Sequence, residues 1–488
     1  LCPNCGNLKG AMQFVGTPGA AYGRHQTPTD LNNWAPRVGF AYNIFQHTVV
    51  RGAYGILYAP SVLQAAGTSG TAGTEGFTGG TPLNTTFDNG ATFVASLSNP
   101  FPSGFIRPLG KAPGPYSGPL TDIGATIQDS NFIDYVNPVV QQWNFNIQQE
   151  VKGNWIIQVG YLGSKGQHLP DGESSMTYDQ LPASFLPLGS GLNANVANPF
   201  YGVIQNPTSA YAQPTIKASL LLDAYPQYSG VNGFRKPQAN SNYQSFIASA
   251  EHRYKNGLTT LVSFTGGKLL DDASQVVNYI GQAGTKQDFY CRKCEKSVSS
   301  QDVPRRLVTS ATYEIPIGKG KRFLGGMPKA ADFVIGGWQM NGIATFQKGI
   351  PLAINNGGNS TGLNSPGIRA TDNGQDPALG GAIAQRLNEY FVQGDFSQTP
   401  NYAFGNVGRF LPNVRQPGTH NLDFSLFKNF KPIERMTVQF RAEAFNLTNS
   451  PTWSAPGNNV AQPGTFGVVQ TANGASPRTV QLGLKLYY

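Results

Sequence analysis

The 488-residue sequence predicts an all-β protein: an antiparallel up-and-down sheet of about eleven strands, part of a transmembrane β-barrel with long extracellular loops. Three observations predict it. Apolar and polar residues alternate along segment after segment, the connections between segments alternate between short and long, and the composition favours strands and turns. Charged residues make up only 12% of the chain, while Gly numbers 59, Pro 35 and aromatics 11%, unlike helical proteins rich in Ala, Glu, Lys and Leu.

The strands read in order as PRVGFAYNIF, TVVRGAYGILY, VVQQWNFNIQQE, NWIIQVGYLG, YQSFIASAEHRY and LTTLVSFTGG, then RLVTSATYEI, FVIGGWQMNGIATF, NLDFSLFKNF, MTVQFRAEAFNL and TVQLGLKLYY. Their period is two. Val139, Trp143, Phe145 and Ile147 share one face, opposite Gln142, Asn144, Asn146, Gln148 and Glu150. Met436, Val438, Phe440, Ala442 and Ala444 likewise oppose Thr437, Gln439, Arg441 and Glu443. In the closing segment Val480, Leu482, Leu484, Leu486 and Tyr488 oppose Thr479, Gln481, Gly483, Lys485 and Tyr487.

The connections carry the stronger signal. QH, VKG, KNG and KPIER are tight turns and PIGKGKRFLGGMPKAAD is intermediate, whereas 61–138, 166–242, 271–304, about 355–420 and 449–478 are long. In an up-and-down sheet every second connection lies at the same end, so the long loops share one rim. Loops of that length are uncommon in compact soluble domains, and the layout is that of an outer-membrane barrel with periplasmic turns and extracellular loops.

A spanning strand needs only about 9 to 11 residues, so the negative mean hydropathy and the lack of a run of about 18 apolar residues exclude membrane helices but not a barrel. Trp34, Tyr42, Tyr58, Trp155, Tyr161, Tyr254, Tyr313, Trp338 and Phe445 lie near strand ends, where interfacial girdles belong. Alternation alone also fits a half-buried soluble sandwich. A sandwich does not account for one-sided long loops above a polar face carrying Arg37, Arg51, Glu150, Glu251, Arg253, Asp423, Arg441, Glu443 and Lys485, all of which except Glu150 are read as lumen-lining.

The net charge of +9 is scattered, and no nucleic-acid-binding module is recognisable, so nucleic acid is not an expected partner. The five His form neither HExxH nor a close pair, and no P-loop, GxSxG or GxGxxG opens a helix, so no enzyme is expected. GTSGTAGTEGFTGG and NNGGNSTG read as loop. Cys2, Cys5, Cys291 and Cys294 form two CxxC pairs on the long-loop side. They suit disulfides within or between pairs in an oxidising exterior, or four thiolates on one zinc, the only cofactor the sequence suggests. Tyr116, Phe200, Tyr201, Tyr211, Tyr225 and Tyr228 are candidate solute readers in the loops, or residues that pack the loops together.

NNWAPRVGFAYNIF with TVVRGAYGILY, NPVVQQWNFNIQQEV with IQVGYLGSKGQHL, then NLDFSLFKNF, VQFRAEAFNLTNSP and the closing strand resemble the C-terminal barrel part of Oar-like TonB-dependent outer-membrane receptors, abundant in acidobacteria. The resemblance covers most predicted strands from Trp34 to Tyr488 and largely skips the long loops. It implies a bacterial outer-membrane location and uptake of a bulky scarce solute such as a siderophore, oligosaccharide or peptide. It also implies coupling to TonB through an upstream plug, outer-membrane lipid as surroundings, and a last strand ending on Tyr488 as the signal for the barrel assembly machinery. Barrels of that class have about 22 strands, so the chain reads as the C-terminal half (35–488) preceded by the end of a truncated extracellular loop (1–34), with plug and TonB box upstream of Leu1. A barrel-anchored structural or adhesive surface protein without transport is the alternative.

Overall fold

The computed structural model describes the chain apart from residues 1, 11–15, 19, 26–27, 60–92, 94, 103, 106–122, 125, 130–134, 172–175, 204–208, 234–235, 256, 274–285, 359–366, 434 and 471–476. Eleven strands form one antiparallel meander: β1 (Arg37–Phe45), β2 (Thr48–Tyr58), β3 (Val139–Val151), β4 (Trp155–Asp171), β5 (Lys236–Lys255) and β6 (Leu258–Asp271), followed by β7 (Arg305–Glu314), β8 (Trp338–Gln347), β9 (Thr419–Ile433), β10 (Met436–Phe445) and β11 (Thr479–Tyr487). Each pairs with the next. A two-residue strand, Ser297–Val298, adds to the end of β6 as the twelfth member. Among the described residues no helix is long and apolar enough to cross a membrane, while the strands run from 9 to 20 residues.

Local chemistry sets the turns. Gly153 (φ 90°) and Asn154 (φ 65°) take the left-handed conformation that reverses the chain from β3 to β4. The other tight reversals join β1 to β2, β5 to β6 and β9 to β10, all at the same end as the 315–337 connection between β7 and β8. Connections 59–138, 172–235, 272–304, 348–418 and 446–478 gather at the opposite end.

Directly paired residues of an antiparallel ladder share a face, so the register assigns the faces. Tyr42, Val50, Ile147, Val159, Ala248, Phe264, Leu307 and Phe346 form one continuous row of partners. One residue along, on the other face, the row reads Asn43, Val49, Gln148, Gln158, Ser249, Ser263, Val308, Thr345 and Asn421. The apolar face is the more solvent-accessible one inside the sheet: in β4 Ile157, Val159 and Tyr161 are exposed, whereas Ile156, Gln158 and Leu162 on the other face are not.

Large aromatics on that face lie over glycines of the neighbouring strand. A Cβ at Gly52 would overlap the Phe40 ring, and one at Gly163 would overlap the Trp143 ring. The aromatic replaces the packing a strand glycine cannot supply. Substituting Gly163 by Ala is expected to displace Trp143 and cost about 1–3 kcal/mol, read as a lower temperature at which the folded, fast-migrating band is lost on semi-native gels.

Three expectations change. FVIGG is not strand: residues Lys329–Ile335 form a short helix, Gly336 N–H closes on the Asp332 carbonyl, and Gly337 (φ 72°) turns the chain into β8. The apolar run satisfied period two on paper, but two consecutive glycines end a helix more readily than they extend a strand. Second, β4 and β5 reach Asp171 and Lys236, beyond the predicted limits of 166 and 242. Third, the long connections are not bare loop; where described, they fold into a cap with its own apolar cores. One core joins Leu352, Ile354, Phe391, Val407 and Phe410's neighbour Leu411 to Phe466 and Val469, from two different connections. Leu181, Leu192 and Leu222 meet Ile368 in another. The GTSGTAGTEGFTGG stretch lies outside the described residues, as do the last four residues of NNGGNSTG.

Candidate functional site

The first component is the polar face of the sheet. Arg37 pairs with Gly55, Arg51 with Ala41 and Asn146, Glu251 with Ile156 and Leu261, and Asp423 with Ile343, all on the face opposite the apolar rows. Arg441, Glu443 and Lys485 occupy the same face at its other end, opposite Phe427, Ser425 and Gln439 respectively. Arg253 lies in β5, but its side chain is outside the described set.

These residues form a stripe, not a cluster. Within the last three strands the Arg441 Nε donates to Gln439, its Nη1 stands 3.8 Å from Glu443, and Gln481 donates to Glu443 at 2.6 Å. The Asp423 carboxylate accepts from the Asn446 N–H at 2.9 Å, which fixes the exit of β10. Arg37 and Arg51 sit at the far edge of the sheet, remote in strand order from Arg441. Tyr488 follows β11 and is fully exposed.

The second component is the cap. Phe200, Tyr211 and Tyr228 are buried in its cores, and the Tyr211 hydroxyl donates to the Tyr228 carbonyl. Of the candidate reader aromatics Tyr201 alone is strongly exposed among the described residues, and Tyr116 lies outside them. Burial corrects the reader assignment for those three rings: they hold the cap together. Residues 2–10 belong to the same body, because Gln227 donates to the Lys9 carbonyl at 2.5 Å and Tyr228 to the Gly10 carbonyl at 2.9 Å.

The cysteines close within pairs, Cys2 with Cys5 and Cys291 with Cys294. Cys2 and Cys5 pack on the core of Ile123, Phe200 and Tyr211. Cys291 and Cys294 hold the turn Arg292–Glu295. No group of three or more His, Cys, Asp or Glu is arranged to hold a metal among the described residues.

That second disulfide turn leads into a buried charge network. Glu295 is fully buried; it pairs with Arg369 at 3.3 Å and accepts from the backbone N–H of Gln287 at 3.2 Å and of Asp288 at 3.3 Å. Arg409, 2% exposed, donates to the Glu295 carbonyl at 3.1 Å and binds the Asp271 carboxylate at the end of β6. Asp171, at the end of β4, meets Lys286 and Arg292, and Arg292 also meets Asp272 at 2.9 Å. Arg415 binds Asp302 at 2.6 Å. Burial pulls the Arg369 pKa down while Glu295 pushes it back up. The network bolts connections 272–304 and 348–418 to the ends of the strands. Sequence reasoning missed it; the acidic DD at 271–272 closing a strand was the available signal.

Two further features lie in connection 172–235. A cavity of about 480 Å³ is lined by Asn195, Gln213, Ile216, Lys217, Leu220 and Asp223, among others. In the same connection, burial raises the Asp179 carboxyl from 3.8 to about 7, opposed by the Tyr225 N–H that donates to it at 2.7 Å. The folded state therefore holds a proton that the unfolded chain releases above pH 3.8. Stability from this group is full below about pH 4 and is lost as pH rises to about 7, a change on the order of 4 kcal/mol. Asp179→Asn is expected to flatten that slope, measured by hydrogen exchange of the cap between pH 4 and 8.

A membrane strand set, an exposed apolar outside, a polar inside and a one-sided cap are the parts of a barrel wall. The family described as outer membrane beta barrel domain matches residues 2–481. The chain belongs to this family. Its place is the bacterial outer membrane, and the apolar face of the barrel domain is the lipid-facing one. Solved structures similar to it include the outer membrane transporter YddB from Escherichia coli, with 9% identity over 92% of this chain and 39% of that one, TM-score 0.39. The pyoverdine outer membrane receptor FpvA from Pseudomonas aeruginosa gives 10%, 93%, 36% and 0.37. The FrpB iron transporter from Neisseria meningitidis gives 11%, 93%, 39% and 0.34. The chain thus spans about two fifths of the length of the Escherichia coli transporter. No curated protein sequence matches it.

Proposed function

We propose that this barrel domain is the C-terminal wall and solute-capturing cap of a TonB-dependent importer, which takes up a bulky scarce solute such as a siderophore, oligosaccharide or peptide. One observation carries the reading: five long connections gather over one end of a membrane sheet and, where described, fold there into a body with its own cores, ion pairs and cavity. A packed cap beside a polar face suits capture followed by passage along the wall. Arg37, Arg51, Glu251, Arg253, Asp423, Arg441, Glu443 and Lys485 are then lumen-lining residues that stabilise the water-filled interior and meet the plug.

On this reading the cap is extracellular, its disulfides suit an oxidising exterior, and the plug that engages TonB belongs to the region upstream of Leu1. The barrel assembly machinery reads β11 and Tyr488. No catalytic role is assigned. The test is uptake in cells expressing the full-length gene, its deletion, and a TonB-deficient background, across labelled siderophores, oligosaccharides and peptides. Importer function requires one solute class whose uptake is lost in both mutants. Unchanged uptake of every class, with altered surface attachment in the deletion, would replace the importer by the adhesive anchor.

A further inference from the structure

The turn end of the sheet carries one connection unlike the others, residues 315–337 between β7 and β8. It does not simply reverse the chain. Its helix Lys329–Ile335 lies against the lipid-facing side of the wall: the Phe333 ring packs 5.0 Å from that of Phe430, and the Trp338 Nε1 donates to the Val334 carbonyl at 3.1 Å. Trp338 pairs with Lys428, Lys428 with Phe440, and Phe430 with Val438, so these contacts are all on the apolar face.

Lys428 is the signature of an interface. The whole residue is buried on the apolar face between the wall and the helix, its ammonium over the Trp338 and Phe430 rings and donating to the Asp332 carbonyl at 3.4 Å. The last turn of the helix thus supplies an acceptor for a cation that the apolar face would otherwise leave unsatisfied, and Trp338 beside it is a residue of the kind that seats at the membrane interface.

Beyond these contacts the connection exposes apolar and cationic groups side by side. Phe323, Leu324, Phe333, Val334 and Ile335 are all exposed. Lys319, Lys321, Arg322 and Lys329 are exposed among them. The one acid of the segment, Asp332, accepts from the Lys319 backbone N–H at 2.6 Å and so serves the fold. Lys321 reaches Glu314 at 3.4 Å, and Lys319, Arg322 and Lys329 make no ion pair among the described residues.

We infer that residues 315–337 form an interfacial anchor that inserts Phe333, Val334 and Ile335 into the membrane leaflet at the turn end and binds anionic phospholipid headgroups through Lys319, Arg322 and Lys329. Two arguments select lipid as the occupant. The patch is continuous with the lipid-facing wall, through Phe333 on Phe430, and its charge is complementary to an anionic leaflet. The anchor holds the wall at a fixed depth, independent of any solute it carries; it rests only on the membrane placement of the sheet.

The test uses the full-length protein in nanodiscs of phosphatidylcholine with or without phosphatidylglycerol. Phe333→Cys and Leu484→Cys variants are labelled singly with bimane, the native disulfides being left oxidised. The anchor requires at least two-fold quenching at position 333 by a shallow nitroxide lipid, with protection from aqueous iodide. It also requires an enrichment of phosphatidylglycerol over phosphatidylcholine around the protein, at least two-fold by spin-labelled lipid, that falls to unity when K319Q, R322Q and K329Q are combined. Quenching at 484 together with iodide access at 333 overturns the anchor and leaves the wall in the membrane. Iodide access at both positions overturns the membrane placement as well. An unchanged lipid preference in the triple variant overturns the headgroup site.

Discussion

Glu295→Ala is expected to destabilise the cap by about 3–5 kcal/mol, because removing one partner of a buried ion pair leaves the other charge desolvated and alone. Arg369 is 3% exposed and would keep its charge without the carboxylate that meets it at 3.3 Å. The N–H groups of Gln287 and Asp288 would lose their acceptor in the same step. The loss is local. Hydrogen exchange should rise in 286–304, 368–371 and 405–415, the segments the network joins, while the ladder from β1 to β4 keeps its protection. Glu295→Gln, which keeps an acceptor but not the charge, should fall between the two. Exchange unchanged in Glu295→Ala would show that the cap is held by its apolar cores alone.

Val159→Arg is expected to cost about 2–4 kcal/mol of barrel stability and to lower the amount assembled in the outer membrane, whereas Gln158→Arg should leave both near wild type. The two positions are adjacent in β4 and face opposite ways. Val159 lies in the middle of the apolar row, between Ile147 and Ala248, so an arginine there would enter hydrocarbon. Gln158 lies in the polar row between Gln148 and Ser249. The measurement is the heat-modifiable folded band in isolated outer membranes and its urea midpoint. Equal behaviour of the two variants would contradict the assignment of faces.

The strands were legible because their information is local. Alternation with period two places Phe145 and Asn146 on opposite faces whatever lies beside them, and Gly153–Asn154 accepts positive φ without reference to the rest of the chain. The one-sided placement of the long connections follows from the same counting. Where local pattern was ambiguous the reading failed: FVIGG alternates acceptably as a strand, but its neighbours place it in a helix against Phe430.

The sequence by itself determined the order of strands, the two faces of the wall and the end at which the long connections gather. Only the tertiary structure decided what those connections are. The Arg409–Asp271 and Lys286–Asp171 pairs span 138 and 115 positions, and whether such charges are solvated or buried depends on which chains happen to close around them. The same holds for Phe200, Tyr211 and Tyr228: an aromatic in a Gly- and Pro-rich stretch has no period to betray its side, and desolvation by distant partners, not local propensity, put them in a core.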